Sequence, residues 1–246
     1  MEVHHHPDLH HKPKKWKEYF LEFLMIFLAV ILGFFAESYR EHLVERNREK
    51  EFIQSYINDL KTDTASIVLN ITYRKTKMEQ LDSLMFLLSN QKIKGYENDL
   101  YYFGRLLIRA KRFQSNDRTI IQLKNSGSLR LIRNEQAADS MILYQKLVET
   151  LERNQEDERN ERNNTLPIIS RMFNPFEFDK MVTIDAINRP INNPPLRSYD
   201  PNIQLDLATC VHTIKGSTFI LESRLELLNE KAKNIIIFLK KEYHLE

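Results

Sequence analysis

Four groups of side chains in this chain could do chemistry. The first is His4, His5, His6, His10 and His11, a run of imidazoles close to the start. Imidazole nitrogens bind transition metals, but a metal site needs its ligands at fixed spacing on a rigid element. These five lie in a Pro-flanked segment without such spacing, so they are candidate ligands only and no cofactor is expected. The second is Glu22, a carboxylate inside an apolar run. It can reach headgroups or Lys15, make an inter-subunit hydrogen bond, or serve an ion path. The third is Arg105, Arg109, Lys111, Arg112, Arg118, Lys124, Arg130 and Arg133, a basic stretch opposed only by Asp117. Guanidinium forks suit phosphate or carboxylate, so this stretch is a candidate patch for an anionic partner. The alternative is neutralisation within the fold by Glu149, Glu152, Glu156, Asp157, Glu158 and Glu161. The fourth is Cys210 with His212, two apart on a predicted helix and therefore on different faces. With no phosphate loop, nucleophile elbow or zinc-protease helix motif, the sequence gives no reason to expect an enzyme.

The elements that must position these groups begin with the run from Tyr19 to Ala36, apolar throughout except for Glu22 and preceded by Lys12, Lys14, Lys15, Trp16 and Lys17. As a helix it is about 27 Å long, close to the ~30 Å hydrocarbon thickness of a bilayer. Trp16 and Tyr19 sit where interfacial aromatics belong. A secretory signal would end in small residues, whereas this run ends Gly33-Phe34-Phe35-Ala36-Glu37 and the helical pattern continues. The expectation is an uncleaved single-pass anchor. Lysines and arginines balance across its two flanks. Tight packing of the four lysines against the membrane edge places the N-terminus in the cytoplasm and the large domain outside. That gives a His/Lys-rich cytoplasmic tail at 1–14, a transmembrane helix at 15–37 and a helical domain at 38–246.

Composition favours helix. The chain has 246 residues, a net charge of +2 and only 5 glycines, with no proline between Pro13 and Pro167. A proline inside a helix costs about 3 kcal/mol, so its absence over so long a run permits long helices. Charge near zero gives no pull toward nucleic acid, and none is expected as a partner. The lone Cys210 excludes an internal disulfide. Ile53, Ile57, Leu60, Thr64, Ile67, Ile71, Arg74, Met78, Leu81, Met85 and Leu88 alternate four and three apart, the seam of a packed or coiled helix. Its register extended backwards reaches Ala36, Ala29 and Glu22, so one continuous helix from about Lys15 to about Asn90 is predicted, about 110 Å long. With Gly33, Ala29 and Ala36 form a small-residue surface that permits close helix approach in lipid.

Further along, a second helix is predicted over Glu97–Phe113 and a short one after Ser115-Asn116-Asp117, ending at Gly127. Asn134 can cap a fourth, on which Ala137, Met141, Tyr144, Val148 and Leu151 keep helical spacing and which Pro167 ends or kinks. The Pro- and Asn-rich stretch 174–202 reads as a long irregular loop. A last helix from about Ser217 carries Leu221, Leu225, Leu228, Ala232, Ile235 and Leu239. The fold class is all-α: one N-terminal transmembrane helix continuing into a long helix of an antiparallel three- or four-helix bundle.

The words from Lys14-Lys15-Trp16-Lys17-Glu18-Tyr19 to Ala29-Val30, then Gly33-Phe34-Phe35-Ala36-Glu37, after a His-rich start, resemble an uncharacterised family of Bacteroidota membrane proteins. Leu123-Lys124-Asn125-Ser126-Gly127 and Leu129-Arg130-Leu131-Ile132 are similar to its second recognisable stretch. The resemblance implies a single-pass bacterial inner-membrane protein and carries no activity or catalytic residues. The leading functional expectation is a membrane-anchored structural or interaction protein. It would self-associate through its first helix, with Glu22, Ala29, Gly33 and Ala36 as contacts, and present its outer domain to an unidentified membrane or periplasmic partner. The alternative is an extracytoplasmic sensor that binds a small anion near Arg105–Arg133 and couples to a separate output protein.

Overall fold

The computed structural model describes residues 15–89 and 93–245, and is helical with one isolated antiparallel bridge between Val182 and Ile187. The imidazole run His4–His11 lies outside the described residues. Six helices follow in order: α1 Trp16–Ser89, α2 Glu97–Leu107, α3 Arg118–Asn125, α4 Glu135–Met172, α5 Pro175–Lys180 and α6 Pro201–Glu242, with a 3-10 turn at Ser128–Leu131. The chain forms two compact units, residues 1–51 and 52–246. In the first, the described residues are α1 up to Glu51, with apolar side chains open to the surroundings.

In the second unit three long helices share one interior. The burial pattern of α4 is Ala137, Met141, Tyr144, Val148, Leu151, Gln155, Glu158, Arg162, Thr165, Ile169 and Met172, an unbroken alternation of four and three. α6 repeats it from Leu207 through Val211, Ile214, Thr218, Leu221, Leu225, Leu228, Ala232 and Ile235 to Leu239. Such spacing keeps one stripe of each helix facing its neighbours over many turns. Contacts show the directions. On α1, Asp63 meets Tyr144 and Arg74 meets Glu158, so α1 and α4 run the same way. α6 runs against both, with Lys75 facing Glu222, Asp82 facing Lys215, Glu161 facing Ser217 and Arg171 facing Asp206.

Residues 93–134 make that parallel pairing possible by returning the chain along α1. α2 comes back from the end of α1, residues 109–116 continue without helix as a strap along α1, and α3 completes the return. The predicted helix over Glu97–Phe113 therefore stops short at Leu107. Beyond it the strap's backbone groups are taken by side chains of α1 and α4, which a helix would not allow. Gly127 adopts φ 67, the left-handed conformation expected of it, and Asn134 caps α4 by accepting a hydrogen bond from the Ala137 N–H. Pro167 removes one amide donor but α4 continues to Met172. The last helix starts at Pro201, well before Ser217, because Asp200 caps it and proline is preorganised for the first helical position. The stretch 174–202 accordingly contains α5 and the start of α6, leaving 181–200 irregular.

Two apolar cores result. One gathers Ile53, Ile57, Leu60 and Ile67 of α1 with Met141, Val148 and Leu151 of α4 and Leu221 to Leu239 of α6. The other gathers Leu81, Leu84 and Leu88 with α2, the end of α4 and the first half of α6. In the second core Tyr101, Phe173 and Phe178 form a triangle of rings with centroids 5.2 to 5.5 Å apart. Gly104 faces it, and a Cβ there would lie 2.7 Å from the Phe173 ring. Since Phe173 is itself buried between two other rings, it has no room to withdraw. Gly104→Ala is expected to destabilise the fold by about 1–3 kcal/mol, the cost of overpacking a closed core. A thermal melt showing an unchanged midpoint would contradict this packing.

Candidate functional site

The first unit offers one functional surface. α1 contains a stretch long and apolar enough to cross a membrane, near the N-terminus, and none of it is buried by protein. Phe23, Met25, Ile26, Leu32, Phe34 and Phe35 are all more than half exposed and distributed around the helix. Glu22 is half-buried, and Ala29, Gly33 and Ala36 are exposed. On a helix of 3.6 residues per turn these four fall within an arc of about 60°. Nothing approaches within 4 Å of where a Cβ on Gly33 would be.

The second unit contains a polar layer between its two apolar cores. Asn70, Arg74 and Lys77 of α1 meet Gln155, Glu158, Arg162 and Thr165 of α4 and Thr218 of α6, all buried. The Glu158 carboxylate sits between two guanidiniums. Arg74 donates to its Oε1, and Arg162 Nη1 lies 2.6 Å from its Oε2, an ion pair by distance though not a well-aligned hydrogen bond. Arg74 also donates to the carbonyl of Lys111 on the strap.

Lys77 does a different job. Its ammonium donates to the carbonyls of Leu106, Leu107 and Arg109, closing the end of α2 where helix carbonyls lose their partners. Gln155 bonds Phe113 twice, accepting from its N–H at 2.7 Å and donating to its carbonyl at 3.0 Å. Asp63 accepts from Ser115 Oγ, the Asn116 N–H and Tyr144 Oη, while Asp59 accepts from Asn116 Nδ2 and the Thr119 N–H. An extended segment packed on helices has no neighbouring strand to satisfy its amides. Here the side chains of α1 and α4 replace that strand.

Burial shifts several of these groups. It pushes the Lys77 ammonium down to about 7, with the Glu158 carboxylate pulling the other way. Burial likewise raises the Asp63 carboxyl, against the hydrogen bonds it accepts from Asn116, Ser115 and Tyr144. The Tyr144 phenol is driven up by burial and by the Asp63 charge.

This layer alters the reading of α1. The row Tyr56, Asp63, Asn70, Lys77 and Leu84 is fully buried, beside Ile53, Leu60, Ile67, Arg74, Leu81 and Leu88. Thr64, Ile71, Met78 and Met85, expected in the seam, are only half-buried at its edge. The core face is therefore rotated toward the polar row, because that row carries the strap's hydrogen-bond partners. One signal of this was present in the sequence: the four-three spacing of α4 continues through Gln155, Glu158, Arg162 and Thr165 before becoming apolar again.

The eight basic residues do not converge. Arg105 is on α2; Arg109, Lys111 and Arg112 on the strap; Arg118 and Lys124 on α3; Arg130 on the 3-10 turn; and Arg133 just ahead of α4. Arg112 lies 3.9 Å from Glu156, and Arg118 lies 3.6 Å from Asp59. Arg105 stacks over the Phe178 ring at 5.6 Å. Its guanidinium is held below its usual range by burial and by Arg109 beside it, against the pull of Asp179. Among the described residues no group of three or more His, Cys, Asp or Glu side chains is placed to hold a metal ion. The chain matches no known family model, and no curated protein and no solved structure shows significant similarity to it.

Two outcomes follow from the layer. Removing one member of a buried ion pair strands the others, so Glu158→Gln is expected to cost about 3–5 kcal/mol. The triple replacement Arg74→Met, Glu158→Leu, Arg162→Met is expected to cost clearly less, which chemical denaturation of the two variants side by side would show. For Lys77, the unfolded chain holds a proton between about 7 and 10.5 that the folded chain has released. Stability should therefore rise with pH across that window, and Lys77→Met should flatten the rise. A Lys77→Met slope equal to that of the parent would place its origin elsewhere.

Proposed function

We propose that the chain is a membrane-anchored interaction protein: Tyr19–Ala36 crosses the bilayer, and the second unit is a helical bundle that serves recognition. The observation that carries this reading is the apolar stretch of α1 with none of its length buried by protein. An exposed apolar surface this large is costly in water and characteristic of a lipid or protein contact. The lysines before the span and the family resemblance support a bacterial inner membrane, with the N-terminus cytoplasmic and the bundle periplasmic. The arc of Glu22, Ala29, Gly33 and Ala36 supports self-association through the span, since small residues let helices approach closely and a carboxylate in lipid seeks a partner.

Recognition falls to the stretch between α4 and α6. Phe176, Ile184 and Ile191 are 75%, 102% and 87% exposed there, on a segment tied back by Asn98–Asn193 hydrogen bonds and the Arg189–Asp99 ion pair. Three bulky apolar side chains on an anchored surface segment suit a protein partner better than a small solute. The sensor alternative needs the basic residues gathered about one cavity. Their dispersal along 105–133 favours the interaction reading.

Extraction of membranes with alkaline carbonate tests the anchor. The full-length chain should stay with the pellet, and Leu24→Arg combined with Leu28→Arg should move most of it to the supernatant, since each charge costs about 2.5–3.5 kcal/mol at a helix centre. A parent chain that washes off vesicles would end this reading.

A further inference from the structure

One cavity of the second unit belongs neither to the polar layer nor to the recognition segment. It is a cleft of about 320 Å³ between the start of α4 and the end of α6, floored by Tyr144 and Ile235 and walled by Leu143, Leu147 and Phe238. Lys231 stands on its lining, with Ser140 and Asn234 as further polar groups. An apolar concavity with a few polar groups is the usual form of a small-molecule site, and this volume lies at the lower end of the usual range.

The rim charge narrows the ligand. Lys231 makes no ion pair or hydrogen bond with any described residue, so its ammonium is open to a ligand. Beyond Asn229, α6 carries Lys231, Lys233, Lys240 and Lys241 against Glu230 and Glu242 within the helix. A cation beside an apolar cleft matches an apolar chain with one anionic end. A single lining cation matches one carboxylate. We propose that this cleft binds a fatty acid, its chain along Leu143, Tyr144, Leu147, Ile235 and Phe238 and its carboxylate on Lys231.

Photolabelling of the full-length chain in lipid nanodiscs with a diazirine-bearing dodecanoic acid tests it, with the labelled peptides read by mass spectrometry. Labels are expected on peptides holding Leu143–Leu147 and Ile235–Phe238, competed by dodecanoate and not by dodecanol. Lys231→Glu should cut them about tenfold by placing like charges together. Leu143→Trp, which fills the cleft and keeps the charge, should cut them as well, and an unchanged melting midpoint in either variant shows that the fold is intact. Labels confined to residues 19–36 would report bilayer partition alone and overturn the proposal. So would equal labelling in Lys231→Glu, or labelling of the cleft only by a diazirine phospholipid.

Discussion

The second unit depends on one constraint: an extended segment laid on helices must find hydrogen-bond partners for amides that no neighbouring strand serves. Each unpaired buried amide or carbonyl costs on the order of 1–3 kcal/mol, so the strap could not be packed at all without compensation. Asp59, Asp63, Arg74 and Lys77 on α1 and Gln155 on α4 supply it, each reaching the strap or the turn of α3 next to it. The economy of the arrangement is geometric. Asp59 to Lys77 spans about 27 Å at 1.5 Å per helical residue. Extended chain advances about 3.3 Å per residue and so covers the same ground with half as many. That short return lets α4 start again beside the beginning of the packed part of α1 and run parallel to it.

Arg74, Lys77 and Gln155 also belong to the layer that separates the two apolar cores. Charges taken out of water repay their desolvation only when geometry and further hydrogen bonds are good, so the Arg74–Glu158–Arg162 group is weak evidence for stability in itself. Its effect is positional. The four-three alternation of α4 and α6 would tolerate a slip of seven residues in either helix, since apolar stripe would still meet apolar stripe. A slip would bring Glu158 against Val211 or Leu225 in place of Thr218, and a slip of α4 would leave Gln155 away from Phe113. The polar layer thus selects one register among several that hydrophobic burial alone would accept.

Much of this was legible in the sequence, and the exceptions share a cause. The extent of α1 followed from the absence of proline and from its apolar spacing, and the Asn134 cap and the Gly127 turn followed from local chemistry. The apolar membrane-length stretch needed only composition. The strap was missed because Arg109-Ala110-Lys111-Arg112 is made of good helix formers, and only contacts distant in sequence make it extended. The first half of α6 was missed because Pro201 follows a Pro-rich stretch, although Asp200-Pro201 is a sound cap and first position. The polar layer was missed for a broader reason. Pattern reading follows apolar spacing, so the seam of α1 runs through Ile71 and Met78 and leaves out Asp63, Asn70 and Lys77.

The partners that cover the strap are far apart along the chain: Asp63 with Tyr144, Arg74 with Glu158, Phe113 with Gln155. Contacts of such separation form late, because a long loop must close before it is rewarded. Without α4 the strap lacks the partner of Phe113, and Arg109-Ala110-Lys111-Arg112 are good helix formers. The end of α2 at Leu107 is thus set by elements distant along the chain, Gln155 lying 42 positions beyond Phe113 and Arg74 37 positions before Lys111.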